Sequence, residues 1–217
     1  MSRKWLMALA VACVVLPVSA QAQEEQKEEP KPAEAAAPSL NGWGISLGWF
    51  VGNDVTKQSY PGIGVASIDD GVTVGGLWYH DLSARTRFEA KLSFSPNSFV
   101  NTPNGDVNAL VWYLDLAYIP YWTFGKTRLG IPFGLGWAGS HTSGPLADSI
   151  PNRDEALTLN DGSGMQYFIG AQAAWRLGQS PWSIQTDLRT HRFHRIVNVR
   201  EINTQIIDVT VALTRSF

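Results

Sequence analysis

Apolar and polar residues trade places one for one over eight stretches of this chain, the period of a β-strand and not of a helix. The last stretch is the plainest: Ile207, Val209, Val211 and Leu213 alternate with Asp208, Thr210, Ala212 and Thr214, and the sequence stops on Phe217. The first sets Trp43, Ile45, Leu47, Trp49 and Val51 against Gly44, Ser46, Gly48 and Phe50. A second strand is expected over about residues 72–80, where Gly75, Gly76, Leu77, Trp78 and Tyr79 do not alternate cleanly. In the third, Phe88, Ala90, Leu92 and Phe94 oppose Arg87, Glu89, Lys91, Ser93 and Ser95. Leu110, Trp112, Leu114, Leu116 and Tyr118 oppose Val111, Tyr113, Asp115 and Ala117 in the fourth, and Leu129, Ile131, Phe133, Leu135 and Trp137 face away from Arg128 and a row of small residues in the fifth. The sixth and seventh hold Gln166, Gln172, Asp187, Arg189 and His191 on their polar sides.

The connections between these strands alternate in length. Residues 52–71, 96–106, 141–163 and 192–201 make long ones, whereas 81–85, 120–126 and 177–181 are brief. Transmembrane barrels show this asymmetry, with extended outer loops and short periplasmic turns. Aromatic residues gather at the short-turn ends: Trp43, Trp78, Tyr79, Tyr118, Tyr121, Trp122, Trp175, Trp182 and Phe217. Amphipathic rings settle at the headgroup level of a bilayer, so these residues are expected to form an aromatic girdle. A soluble sandwich alternates too, but has no reason to place its rings at one end.

The front of the chain agrees with a membrane destination. Ser2, Arg3 and Lys4 precede an apolar run from Trp5 to about Val18 and then Ala20, Gln21 and Ala22, the order of a secretory signal peptide, so residues 1–22 are expected to be cleaved. That run is shorter than the roughly 20 residues a spanning helix needs. Residues 23–40 shift to Glu, Lys, Pro and Ala and read as a disordered, acidic periplasmic linker, leaving residues 41–217 for the barrel. Cys13, the only cysteine, lies in the signal, so no disulfide or thiolate metal site is expected, and the apolar run continuing past it argues against lipoprotein acylation. Charge is nearly balanced, 17 Lys and Arg against 19 Asp and Glu, which argues against a general nucleic-acid binder.

Residues 128–138 (RLGIPFGLGWA), 164–171 (GMQYFIGA), 187–189 (DLR) and the terminal Phe217 resemble the small outer-membrane β-barrel superfamily that includes the outer membrane protein A type. The resemblance implies an all-β, eight-stranded antiparallel up-and-down transmembrane barrel in the bacterial outer membrane with both termini in the periplasm. It also implies outer-membrane lipids, lipopolysaccharide and the barrel-assembly machinery as partners. Arg215 departs from the family, which usually has tyrosine or an apolar residue third from the end, and is expected to snorkel to the interface.

An eight-stranded barrel has an interior that side chains just fill. The inward set Arg87, Glu89, Lys91, Asp115, Arg128, Asp187, Arg189 and Asp208 mixes signs, which suits a salt-bridge plug, the alternative being a narrow channel for small solutes. His191, Arg192, His194, Arg195 and Arg200 form a basic cluster at the expected height of the outer leaflet, suited to lipopolysaccharide phosphates. Lipid A deacylase barrels hold a His and a Ser two residues on; here Phe193 follows His191 and Ile196 follows His194, and Ser143 follows His141 only in a loop, so an enzyme is not expected. No cofactor or metal site is expected, since residues 160–164 read as a turn and not as a calcium loop. The role expected is non-enzymatic, in envelope structure or surface attachment through the loops 52–71 and 141–163, with an envelope protein partner reached through those loops or the linker.

Overall fold

A computed structural model describes residues 41–54, 67–100, 107–143, 162–193 and 204–217. The signal and linker, residues 1–40, lie outside the described residues. The strands are β1 (Asn41–Val51), β2 (Ser67–Ile68), β3 (Gly71–Ser83), β4 (Thr86–Val100), β5 (Val107–Phe124), β6 (Thr127–Gly130), β7 (Phe133–Ser143), β8 (Gly162–Arg176), β9 (Trp182–Phe193) and β10 (Thr204–Ser216).

Every pairing is antiparallel, and the ring closes where β1 meets β10 in unbroken register from Gly42↔Ser216 to Val51↔Ile207. The Phe217 amide donates to the Asn41 carbonyl at 3.0 Å and completes the seam. Eight staves result, because β6 and β7 are two halves of one. Both halves pair with β5 on one side and β8 on the other, and the break falls at Ile131 and Pro132. Pro132 has no amide hydrogen to give the ladder, so it marks the gap. The small β2 pairs with the far end of β4, and its Ser67 also bridges Asp54.

The staves run longer than alternation alone suggests. β4 continues to Val100 at the long-connection end, and at the opposite end β5 runs through Pro120 to Phe124, the last of its 18 residues, so the connections at that opposite end shrink to tight turns. Gly125 sits at φ 58° and Gly178 at φ 63°, left-handed positions that glycine occupies without strain, and this is what lets those turns be so short. Pro120 stays in the ladder because its carbonyl accepts from the Ile131 amide at 3.1 Å. β3 is resolved as well: Leu77 and Tyr79 point inward and Trp78 outward, and a register shift between Asp81 and Ser83 bends its end.

The sides of the barrel are reversed relative to a soluble protein. Ile45 (62% exposed), Leu135 (57%), Leu47, Ile169 and Val211 cover the outside, while Glu89, Lys91, Asp115, Arg189 and Asp208 are fully buried within. A continuous apolar belt of this kind cannot face water without aggregation, so it faces lipid. The lumen is tight: the Tyr79 ring stands where a side chain at Gly42 would go, its Cζ 2.2 Å from the position of a Cβ there.

Leu135 lies midway along the split stave, and replacing it with Arg puts a charge in hydrocarbon. Leu135→Arg is expected to lower stability by about 2–4 kcal/mol in urea titrations of the protein folded in lipid vesicles. A change under about 0.5 kcal/mol, the range of surface substitutions, would contradict the lipid-facing belt.

Candidate functional site

Strict alternation along β4, β5, β8, β9 and β10 sends their polar residues into one enclosed layer. Arg189 of β9 is its centre. One guanidinium nitrogen, Nη1, donates to Asp115 Oδ2 at 2.9 Å; the other, Nη2, donates to Asp187 Oδ1 at 3.1 Å and to Glu89 Oε1. Three carboxylates from three strands thus share one cation. Their remaining oxygens are met by side-chain amides. Gln172 donates to Glu89 at 3.2 Å and to Asp187 at 3.0 Å, Gln185 to the same two residues at 3.0 and 2.9 Å, and Gln166 to Asp115 at 2.8 Å. Beside this group, Lys91 donates to Asp208 Oδ2 at 3.1 Å and to the Thr210 hydroxyl at 2.8 Å. Such pairing is what makes buried charge tolerable, because attraction and hydrogen bonds then offset the loss of hydration.

A second cluster lies toward the short-turn end. Asp81 bridges two arginines, with Arg87 Nε at 2.6 Å and Arg128 Nη1 at 3.3 Å. The Arg128 side chain is 37% exposed, so this cluster opens toward solvent while Arg87 is closed off. The Arg87 guanidinium lies 3.6 Å from the centre of the Tyr79 ring, and that of Arg128 is 4.9 Å from the Tyr121 ring. Asp81 is the site residue that the sequence reading lacks, since that reading places residues 81–85 in a connection. The parity of Tyr79 was the available signal, because two residues on from an inward Tyr79 must also be inward.

Three expected placements need correction. Tyr79 and Tyr121 do not belong to the girdle: both are buried in the lumen over the arginines. Each follows or precedes an outward tryptophan, Trp78 or Trp122, and neighbours on a strand cannot share a face. His191 is not part of an outer-leaflet cluster either. β9 continues to Phe193, so His191 turns inward, where its Nδ1 is 3.2 Å from Gln166 Oε1 and its ring lies 5.0 Å from that of Tyr113. Arg192, the next residue, is exposed and donates to the Tyr167 hydroxyl at 3.3 Å. His194, Arg195 and Arg200 lie outside the described residues.

Trp43, Trp78, Tyr118, Trp122 and Phe217 are exposed on the outer surface, and Trp175 and Trp182 are half-buried. Trp43 meets Trp182 edge to face at 6.1 Å, and Arg215 of β10 lies 5.6 Å over the ring of Trp182, its pairing partner on β9. The departure at Arg215 is thereby accommodated: its charge rests on an aromatic face at the end of the barrel. Among the described residues no three His, Cys, Asp or Glu side chains converge as metal ligands.

Replacing Arg189 leaves Glu89, Asp115 and Asp187 without their shared cation. Arg189→Met is expected to cost about 3–5 kcal/mol in the vesicle-folded protein, and a loss below about 1 kcal/mol would show that the three carboxylates do not depend on Arg189 as their shared cation.

No protein-family model matches the chain, and no curated protein does. Solved structures do. Neisserial surface protein A aligns over 82% of this chain and 97% of its own with a TM-score of 0.58 at 8% identity. The attachment invasion locus protein Ail of Yersinia pestis, solved with the heparin analogue sucrose octasulfate, aligns over 82% and 99% with a TM-score of 0.45 at 10% identity. The outer membrane protein AlkL, determined in lipid bilayers, aligns over 88% and 97% with a TM-score of 0.42 at 13% identity. Identities this low carry the fold alone, and it is the fold built above from the residues: the chain has the fold of the small, eight-stranded outer-membrane β-barrels.

Proposed function

We propose that this protein is a non-enzymatic, closed scaffold of the bacterial outer membrane, which holds its four long connections at the cell surface for envelope structure or surface attachment. The observation that carries this reading is the filled interior. Arg189 and the three carboxylates around it are shut off from solvent, so the lumen offers no open conduit and the work falls to the outside. The antiparallel order brings the described residues that flank the four long connections, Asp54 and Ser67, Val100 and Val107, Ser143 and Gly162, and Phe193 and Thr204, to one end, and Asn41 and Phe217 to the other. With short turns and termini in the periplasm, the long connections face outward, where rigid scaffolds present binding loops. An envelope partner would be reached there or through residues 23–40.

Lipopolysaccharide is the first surface partner this arrangement suits. Arg192 stands exposed at the loop end of β9, and Arg195 and Arg200 follow it in the chain; guanidinium forks match phosphate oxygens. Lipid A hydrolysis has less to recommend it, because His191 faces the lumen and not the surrounding lipid, although β7 runs on to Ser143 and so carries His141 and Ser143 on a strand and not in the expected loop.

In planar bilayers the purified protein is expected to give no steady current; a stable nanosiemens-scale conductance would replace this reading with small-solute passage. The variant Arg192→Gln, Arg195→Gln, Arg200→Gln is expected to retain less lipopolysaccharide after purification in mild detergent. Equal retention by variant and parent would remove lipopolysaccharide from the account.

A further inference from the structure

The two ends of the barrel differ in the sign of their charge. Beside the long connections the described residues hold three carboxylates, Asp54, Asp69 and Asp70, against one arginine, Arg192. At the short-turn end the balance reverses: Arg85, Arg87, Lys126, Arg128, Arg176 and Arg215 stand against Asp81, the one acidic side chain there among the described residues. Asp81 is already taken, since it bridges Arg87 and Arg128. Four cations are left over.

The fold spaces those four. Arg85 lies in the turn from β3 to β4, Lys126 in the turn from β5 to β6, Arg176 at the end of β8 before the turn to β9, and Arg215 at the seam where β10 meets β1. Each junction at this end thus presents one cation, and all four are exposed. None of them forms an ion pair among the described residues. The Arg176 Nε donates to the Ser180 carbonyl at 3.3 Å. A need for solubility would scatter such charges over both ends; here they gather at one.

Depth in the wall indicates what meets them. Arg215 belongs to the lipid-facing side of β10, in line with Val209, Val211 and Leu213. It pairs with Trp43 on one side and Trp182 on the other, and Trp43 pairs in turn with Trp78, so one row of outward side chains reads Trp78, Trp43, Arg215, Trp182. The guanidinium centre lies 5.6 Å from the Trp182 ring, which the Trp43 ring meets at 6.1 Å. Tryptophan rings mark the headgroup level of a bilayer. A cation held in their row stands at the depth of lipid phosphates, where its cost in a lipid-facing position is least and where phosphate oxygens accept from guanidinium and ammonium groups alike.

We propose that the short-turn end binds anionic phospholipid headgroups of the phosphatidylglycerol class, with Arg215 between Trp43 and Trp182 as the principal seat and Arg85, Lys126 and Arg176 drawing the same headgroups to the other three junctions. The inference rests on the outer-membrane scaffold proposed above, which makes these the phospholipids of the periplasmic leaflet. Held at this end, the barrel keeps its depth in the bilayer while the opposite end is left to the long connections.

The test folds the full chain into phosphatidylcholine vesicles and compares spin-labelled phosphatidylglycerol with spin-labelled phosphatidylcholine by the fraction of each that is motionally restricted at the protein surface. Phosphatidylglycerol should be favoured, by roughly fivefold at each seat, the gain of one cation near an anionic surface, and by less when averaged over the whole annulus. Arg215→Gln should give the largest single loss of preference, and Arg215→Lys should restore most of it. The combined variant Arg85→Gln, Lys126→Gln, Arg176→Gln, Arg215→Gln, all at exposed positions, should bring the two lipids level, whereas Arg192→Gln at the opposite end should change nothing. Restriction of both lipids to the same extent by the parent protein would overturn the site alone; no restricted lipid of either kind would overturn the scaffold and the site with it. A preference that survives the combined variant, or that Arg192→Gln removes, would also overturn the proposal.

Discussion

A strand in hydrocarbon can place its amide and carbonyl groups only on another strand, so the pairing of β1 with β10 governs everything else in this molecule. An open edge would leave a row of unpaired groups in lipid, each costing several kcal/mol. Closure removes the edge, and it also fixes the parity of every stave. Once the seam sets which side of Trp43 or Val211 faces lipid, the pleat dictates the other residues two by two. The apolar belt outside and the charges inside are thus one consequence and not two designs.

Closing the ring on eight staves leaves an interior too narrow for a water-filled pore. Side chains must fill it, and parity makes most of them polar. The chain resolves the conflict by sharing: Arg189 serves three carboxylates, Lys91 a carboxylate and a hydroxyl, and three glutamines occupy oxygens that the cations leave. A pair buried this way contributes little net stability compared with an apolar core, yet removing one member is costly. The network therefore acts less as glue than as a condition on which charges can coexist. Toward the short-turn end the same logic runs through Asp81 and its two arginines, with tyrosine faces covering the guanidinium groups where carboxylates run out.

Alternation made the architecture readable. Wherever the outward residues are large and apolar, as in β4, β5 and β10, the inward charges can be named from the sequence without knowing their partners. Reading failed where parity was masked. In β3 the Gly75, Gly76 and Leu77 stretch puts a glycine on the lipid side and a leucine inside, so Tyr79 was assigned to the wrong face and Asp81 to a turn. Pro120 looked like a strand end, but its carbonyl keeps it in the ladder, and that carries parity on to Tyr121. His191 was grouped with its basic neighbours by charge, whereas position on β9 decides its direction. None of the pairings across the lumen was legible, because Arg189 and Glu89 meet through the ring and are a hundred residues apart in the chain.

The central claim is that one parity rule, set by closure, separates lipid from lumen on every stave. Spin-label scanning tests it most directly, since residues 41–217 contain no native cysteine and Cys13, the only one in the sequence, can be replaced by serine. Labels placed singly along β10 at residues 207–214, in protein folded into vesicles, should show oxygen accessibility that rises and falls with every residue, high at Val209, Val211 and Leu213 and low at Asp208, Thr210, Ala212 and Thr214. Uniform accessibility along the strand, or maxima on the Asp208 side, would contradict the account.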